Sequence, residues 1–273
     1  MRVFYAQIFT LHNHAFLKLL AFRMLIVLAY QIMAVTVGWH IYEITHDTLA
    51  LGLIGLAEVI PYFACALFAG HAVDHFCSRR FFGMLAALLL FINAITLRAI
   101  SLGWINGNAS LWIYGSIAFT GVARAFIAPS YSTLFALIIP RQHFAKAMGI
   151  GSSVFQIGLV LGPVVGGLLI GFSNKTIAYQ IAVLLCAGGA LAMLSLKIKE
   201  PPPVQNSPAV FASIAQGLRF VFSNQIILGA LSLDMFAVLF GGAAAISLWQ
   251  WRLFQGPRAK SPSLLDPFDI YLE

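Results

Sequence analysis

The chain has 273 residues, 60% hydrophobic and only 9% charged, with 16 Lys and Arg against 9 Asp and Glu for a net charge of +7. A soluble domain carries about 45–50% apolar and about 25% charged residues, so this composition excludes a water-soluble globule. The basic excess sits at the ends of apolar runs, where it reads as orientation in a bilayer rather than as a surface for nucleic acid.

A helix needs about 20 apolar residues to cross the hydrocarbon. In chain order the predicted spans are Met24–Ile44, Thr48–Ala69, Phe81–Gly103, Leu111–Ile139, Ala147–Phe172, Thr176–Leu196 and Ile226–Trp249. The first long apolar run starts only after Lys18 and Arg23 and no small-residue cleavage site follows it, so no removable signal peptide is expected. Helices are required, because a lone strand would leave its backbone groups unpaired in lipid.

The connecting loops alternate in charge. One set holds Lys18, Arg23, Arg79, Arg80, Arg141, Lys146, Lys197, Lys199 and Arg219; the other holds Glu43, Asp47, the uncharged GWINGNAS turn and Lys175. By the positive-inside rule the first set and the amino terminus are cytoplasmic. EPPPVQNSP after the sixth span reads as a linker. Residues 210–222, VFASIAQGLRFVF, read as a helix lying on the membrane surface. The expected organisation is an all-α membrane fold: a six-helix bundle over 1–197, linker and interfacial helix over 198–224, a seventh span over 225–250 and a polar tail over 251–273.

Two motifs carry more than anchoring. Between spans two and three lies GHAVDHFCSRR, with Gly70, Asp74, Arg79 and Arg80. A carboxylate at a helix end can cap amides and pair with arginine, so a tight loop of this kind can latch one conformation. Taken alone, Arg79 and Arg80 fit a simple anchor equally well. In span five, Gly158, Gly162 and Gly166 recur every four residues beside Pro163 and Gly167, giving a smooth ridge that another helix can approach and a proline that bends the helix.

Together these strings resemble the major facilitator superfamily, whose loop signature is G-x-x-x-D-R-x-G-R-[RK] and whose antiporters carry G-x-x-x-G-P-x-x-G-G in the fifth helix. The chain departs from the signature at His75 and Cys77. GWHIYEITHDTLALGLIGLAEVIP, GVARAFIAPSYSTLFALIIPRQHFAKAMG and GLRFVF with LSLDMFAVLFGGAAA resemble the branch of bacterial exporters that holds macrolide-efflux and enterobactin-export proteins, over residues 14 to 246. The resemblance implies a multi-pass protein of the bacterial inner membrane, a half-bundle of 3+3 helices, a small-molecule substrate and the proton as coupling ion. It also implies that the Asp74 loop and the glycine ridge work against helices of a second half, and that lipid, another copy or an intact paralogue would otherwise meet them. No cofactor, nucleic acid or enzyme chemistry is expected, since the chain shows no phosphate-cradling loop, nucleophile elbow or metal-binding string.

Ionisable residues at mid-membrane are functional candidates by default. Arg124, near the centre of span four, is a candidate counter-ion for substrate or proton. Glu58 in span two is either an isolated carboxyl able to load and release protons or the partner of Arg124; the residues leave both open. Asp234 in span seven is a candidate coupling or packing residue. Arg98 reads as a snorkelling residue, His40 as interfacial, and Gln31 and Asn93 as bridges between helices.

After Ile246 the sequence turns to SLWQWRLFQGPRAKSPSLLDPFDIYLE, unlike the resembled family. A frame shift or truncation near Ile246 is expected, and little transport by these residues alone; a non-transporting fragment or a regulatory half stays an alternative, and a seven-helix channel or receptor a remoter one. Resequencing the locus should find family-like coding in another frame downstream, and one intact frame without it overturns the expectation.

Overall fold

The computed structural model describes residues 14–75, 79–105, 108–198 and 219–237. They fall into two compact units, within Met1–Val210 and Phe211–Glu273. The first holds α1 (His14–Thr45), α2 (Thr48–His75), α3 (Arg79–Ser101), α4 (Ala109–Ile138), α5 (Phe144–Phe172) and α6 (Lys175–Leu194), with a 3-10 turn, Arg141–His143, before α5. All six are long and apolar enough to cross a membrane. In the second unit, α7 (Gln225–Ala237) is a shorter apolar helix. The linker over 199–218, most of the predicted interfacial helix and the tail lie outside the described residues.

The first six of the seven predicted spans coincide with α1–α6, with two corrections at their ends, while the seventh, Ile226–Trp249, lies outside the described residues beyond 237. Helix α1 reaches back at least to His14, ahead of Met24, because Phe16, Leu19, Leu20 and Phe22 are buried and prolong its packed face beyond the apolar run. Helix α2 continues to His75, so Gly70 and Asp74 are helical rather than part of a loop, and only 76–78 separate it from α3. The opposite end of α3 closes at Gly103, whose φ of 73° suits a residue without a Cβ.

Helix α1 packs chiefly on α5 and α6, and α4 chiefly on α2 and α3, while α3 and α6 pack on each other. Advancing every label by three maps one set of pairings onto the other, which is the geometry of two three-helix repeats. Helix α1 is the most enclosed, and α2 and α5 are the most open.

The glycine ridge of α5 is where α1 comes closest. A Cβ at Gly158 would fall 2.8 Å from Val27 Cγ1, one at Gly162 would run into Gln31 Cβ, and one at Gly166 would touch Ile32 and Val35 at 3.4 Å. The ridge therefore has its mate inside this bundle, which corrects the expectation that it waits for a helix elsewhere; Gly167, on the outer side, is open. Pro163 has no N–H to give the carbonyl of Leu159 one turn back. Gln31 supplies the missing donor, with its Nε2 bonding Leu159 O at 3.3 Å. Asn93 is likewise a bridge, from Nδ2 to Thr120 Oγ1 at 2.5 Å.

Gln31→Leu should therefore destabilise the bundle by about 1 kcal/mol, in the range of interhelical hydrogen bonds in membranes. The loss should shrink when Pro163→Ala restores the bond within α5. Melting of the single and double variants in detergent checks this, and equal losses in both backgrounds would refute it.

Candidate functional site

Water is absent from the hydrocarbon, so a charge placed there must find its partner on another helix. Arg124 finds one: its Nη1 donates to Glu58 Oε1 across the α4–α2 contact. Gly121, one turn before Arg124, makes the meeting possible. A Cβ there would collide with the backbone oxygen of Glu58 and lie 3.3 Å from Tyr62 N, so only glycine lets the two backbones come this close. Of the two readings the residues left open for Glu58, the structure has the pair.

The guanidinium of Arg124 also lies over Tyr30 of α1, 4.6 Å from the ring centroid, and 5.9 Å from that of Tyr62. Aromatic faces attract a cation without neutralising it. Beside Glu58 is a cavity of about 40 Å³ that Tyr30 and Thr120 also line, its other walls apolar. That exceeds the roughly 10–15 Å³ a water requires and falls far short of the roughly 300–1,000 Å³ of a small-molecule pocket. The half-bundle thus sets a carboxylate beside a water-sized chamber, with Asn93 holding Thr120 at its wall.

A second arrangement repeats the first. Arg23 of α1 lies 4.0 Å over the ring of Tyr131 on α4 and 4.8 Å from that of Phe155 on α5. Arg23 and Tyr30 are two helical turns apart on α1, as are Arg124 and Tyr131 on α4. The helices run antiparallel, so each arginine meets the other helix's tyrosine. By the same relation Phe155 of α5 stands where α2 has Tyr62. The likeness fails at one place: one turn before Tyr62 is Glu58, but one turn before Phe155 is Gly151, whose Cα faces the Tyr131 hydroxyl. Among the described residues Arg23 pairs with no carboxylate, and the buried Tyr131 hydroxyl has no hydrogen-bond partner.

The remaining candidates scatter. Arg80 donates from Nε to Met193 O at 3.2 Å and from Nη2 to Leu194 O, so it pins α3 to the end of α6. Arg79 is half-buried and partnered. Gly70 faces open space, and the side chain of Asp74 lies outside the described residues. Asp234 is exposed on α7, in the second unit. His40, near the end of α1, is buried against α6 and bonds Tyr179 through Nδ1 at 3.2 Å. Lys175 pairs with Glu43 at 2.6 Å, tying α6 to α1. Sequence reading missed Tyr30, Tyr62, Gly121 and the Arg23 arrangement. The repeated Arg–Tyr spacing on α1 and α4 was the available signal.

The Major Facilitator Superfamily matches residues 19–255. The multidrug efflux pump Tap of Mycolicibacterium fortuitum is 25% identical over 210 residues, covering 73% of this chain and 50% of that protein. Tap of Mycobacterium tuberculosis is 23% identical over 201 residues, covering 68% and 46%. Among solved structures, a peptide transporter POT in complex with sulfate superposes with a TM-score of 0.57 at 17% identity, over 85% of this chain and 47% of that one. The chain spans about half the length of the curated Tap relatives it matches.

Removing one member of the Arg124–Glu58 pair strands the other charge. Arg124→Leu should cost somewhat less than the ~3–5 kcal/mol of a fully buried pair, because Arg124 is 36% exposed. Arg124→Leu with Glu58→Leu should recover most of it. Melting temperatures of the two variants decide, and a double variant no better than the single would show that the pair contributes no coupling.

Proposed function

This chain belongs to the Major Facilitator Superfamily of membrane transporters, and we propose that it acts in proton-coupled export of small amphipathic compounds such as drugs or siderophores. The Glu58–Arg124 pair carries the reading, because it sets a titratable carboxylate against a cation and a water-sized chamber within the membrane. The named efflux function of the Tap relatives supports the substrate class.

On this reading the pair is a two-state element. With Glu58 ionised, Arg124 is held on α2 and the α2–α4 contact is tight. A proton arriving through the chamber neutralises Glu58 and releases Arg124, which stays over Tyr30 and Tyr62 because their faces hold a cation in either state. The carboxylate, once ionised again, can exchange its arginine for the positive group of a cargo. Proton and cationic cargo then compete for one carboxylate, which is the requirement for exchange in opposite directions. The placement of Lys18, Arg80, Arg141 and Lys146 at one end of the bundle favours a cytoplasmic amino terminus in a bacterial inner membrane.

The test is binding of a fluorescent amphipathic cation such as ethidium to the purified chain in nanodiscs over a series of pH values. Affinity should rise with pH, since fewer protons compete. Glu58→Gln should weaken binding by about tenfold, the equivalent of ~1.4 kcal/mol, and flatten the dependence. An unchanged pH profile in Glu58→Gln would reject the carboxylate as the coupling group.

A further inference from the structure

We infer that the groove between α1 and α6 binds an anionic phospholipid of the leaflet at the bundle's basic end. Ala21 on α1 and Gly188 and Ala192 on α6 have too little side chain to fill the space between the helices, and they leave an open trough of about 610 Å³. Leu191 and Leu194 wall it and are 64% and 53% exposed, so the trough is apolar along its length. A Cβ at Gly188 would lie 3.3 Å from Leu25 Cδ1, so Leu25 lines the floor beneath it.

Cationic side chains without a carboxylate partner gather at one end; at the other, Lys175 is paired with Glu43. The last carbonyls of α6 lack partners within the helix and carry the negative end of its dipole. They draw in cations from two other helices. Lys18 Nζ donates to Ser195 O at 2.8 Å, while Arg80 takes the neighbouring carbonyls of Met193 and Leu194. The carbonyls fix where these heads stand and neutralise them only in part. An ammonium has three donors, and the Ser195 bond uses one of them. The exposed Lys197 follows directly along the chain. Lys18 and Lys197 have no carboxylate partner among the described residues.

An apolar trough that ends at fixed cations on the membrane surface has the chemistry of a glycerophospholipid turned outside in. The acyl chain lies along Ala21, Gly188 and Ala192, and the phosphodiester takes the open donors of Lys18. Basic pockets between membrane helices recognise anionic headgroups in this way. The trough shares no residue with the chamber beside Glu58, so lipid binding stands apart from cargo binding.

The test is native mass spectrometry of the full chain in detergent, with palmitoyl-oleoyl phosphatidylglycerol or its phosphatidylcholine counterpart added. Phosphatidylglycerol should be retained over phosphatidylcholine by about fivefold or more, the attraction expected of a surface cation. Lys18→Gln should abolish the preference, Lys18→Arg should restore it, and Ala192→Trp should displace both lipids by filling the trough. Lys146→Gln removes one basic residue from the same end of the bundle and should change nothing. Melting in phosphatidylcholine nanodiscs confirms that each variant is folded, and Lys18→Met, which also removes the charge, serves where Lys18→Gln is not. Equal retention of the two lipids, equal loss in Lys146→Gln, or glycerol phosphate binding as well as the whole lipid would overturn the inference. So would a protein partner that occupies the trough and excludes phosphatidylglycerol.

Discussion

Inside a bilayer little water stands ready to answer a polar group, so a side chain that carries one across gains by meeting a partner on another helix. Several contacts between the helices of this bundle are answers of that kind. Pro163 leaves the Leu159 carbonyl open, and Gln31 fills it from α1. His40 meets Tyr179 where α1 passes α6, Asn93 meets Thr120 between α3 and α4, and Arg124 meets Glu58 between α4 and α2. Apolar packing alone discriminates poorly here, because lipid tails are as apolar as leucine. The glycines do the complementary work: Gly121 and Gly162 let helices approach beside the Arg124–Glu58 and Gln31–Leu159 contacts, and Gly158 lets Val27 of α1 pack closely against α5.

The bundle is built twice over and then made unequal. Helices α1 and α4 exchange arginines, each seated on the other's tyrosine, and α5 and α2 supply the outer ring in each case. Symmetry of this sort makes two equivalent cation seats in antiparallel helices. Placing a carboxylate beside only one of them gives the two seats different affinities for a proton or a positive group. Gly151, occupying the place of Glu58, is where the repeat departs from itself. A functional site built by breaking an internal symmetry needs very few residues to specify it.

The end of α6 shows how an anchoring residue acquires a structural task. Lys18 and Arg80 read as orientation signals, and both are drawn to the carbonyls that close α6. Positive charge at a helix carboxyl end is favourable in any solvent, and at a membrane surface the same residues face anionic lipid. One cluster therefore fastens three helices and presents a charged rim.

Much was legible in the sequence because the bilayer reduces the problem to length and apolarity. Six spans, the all-helical class and the family follow from runs of about 20 apolar residues and from two motifs with definite spacing. Glu58 and Arg124 were visible as costly charges, since hydropathy exposes any ion in such a run. What hydropathy cannot encode is which helices touch. Whether Glu58 stood alone or paired, whether the ridge of Gly158 faced inward, and which helix His40 met all depended on rotations and neighbours that have no period in the chain. Tertiary structure decided these, because in an apolar solvent the partner of each polar group is chosen by close approach of backbones, and that approach is set by glycines and small side chains on two helices at once.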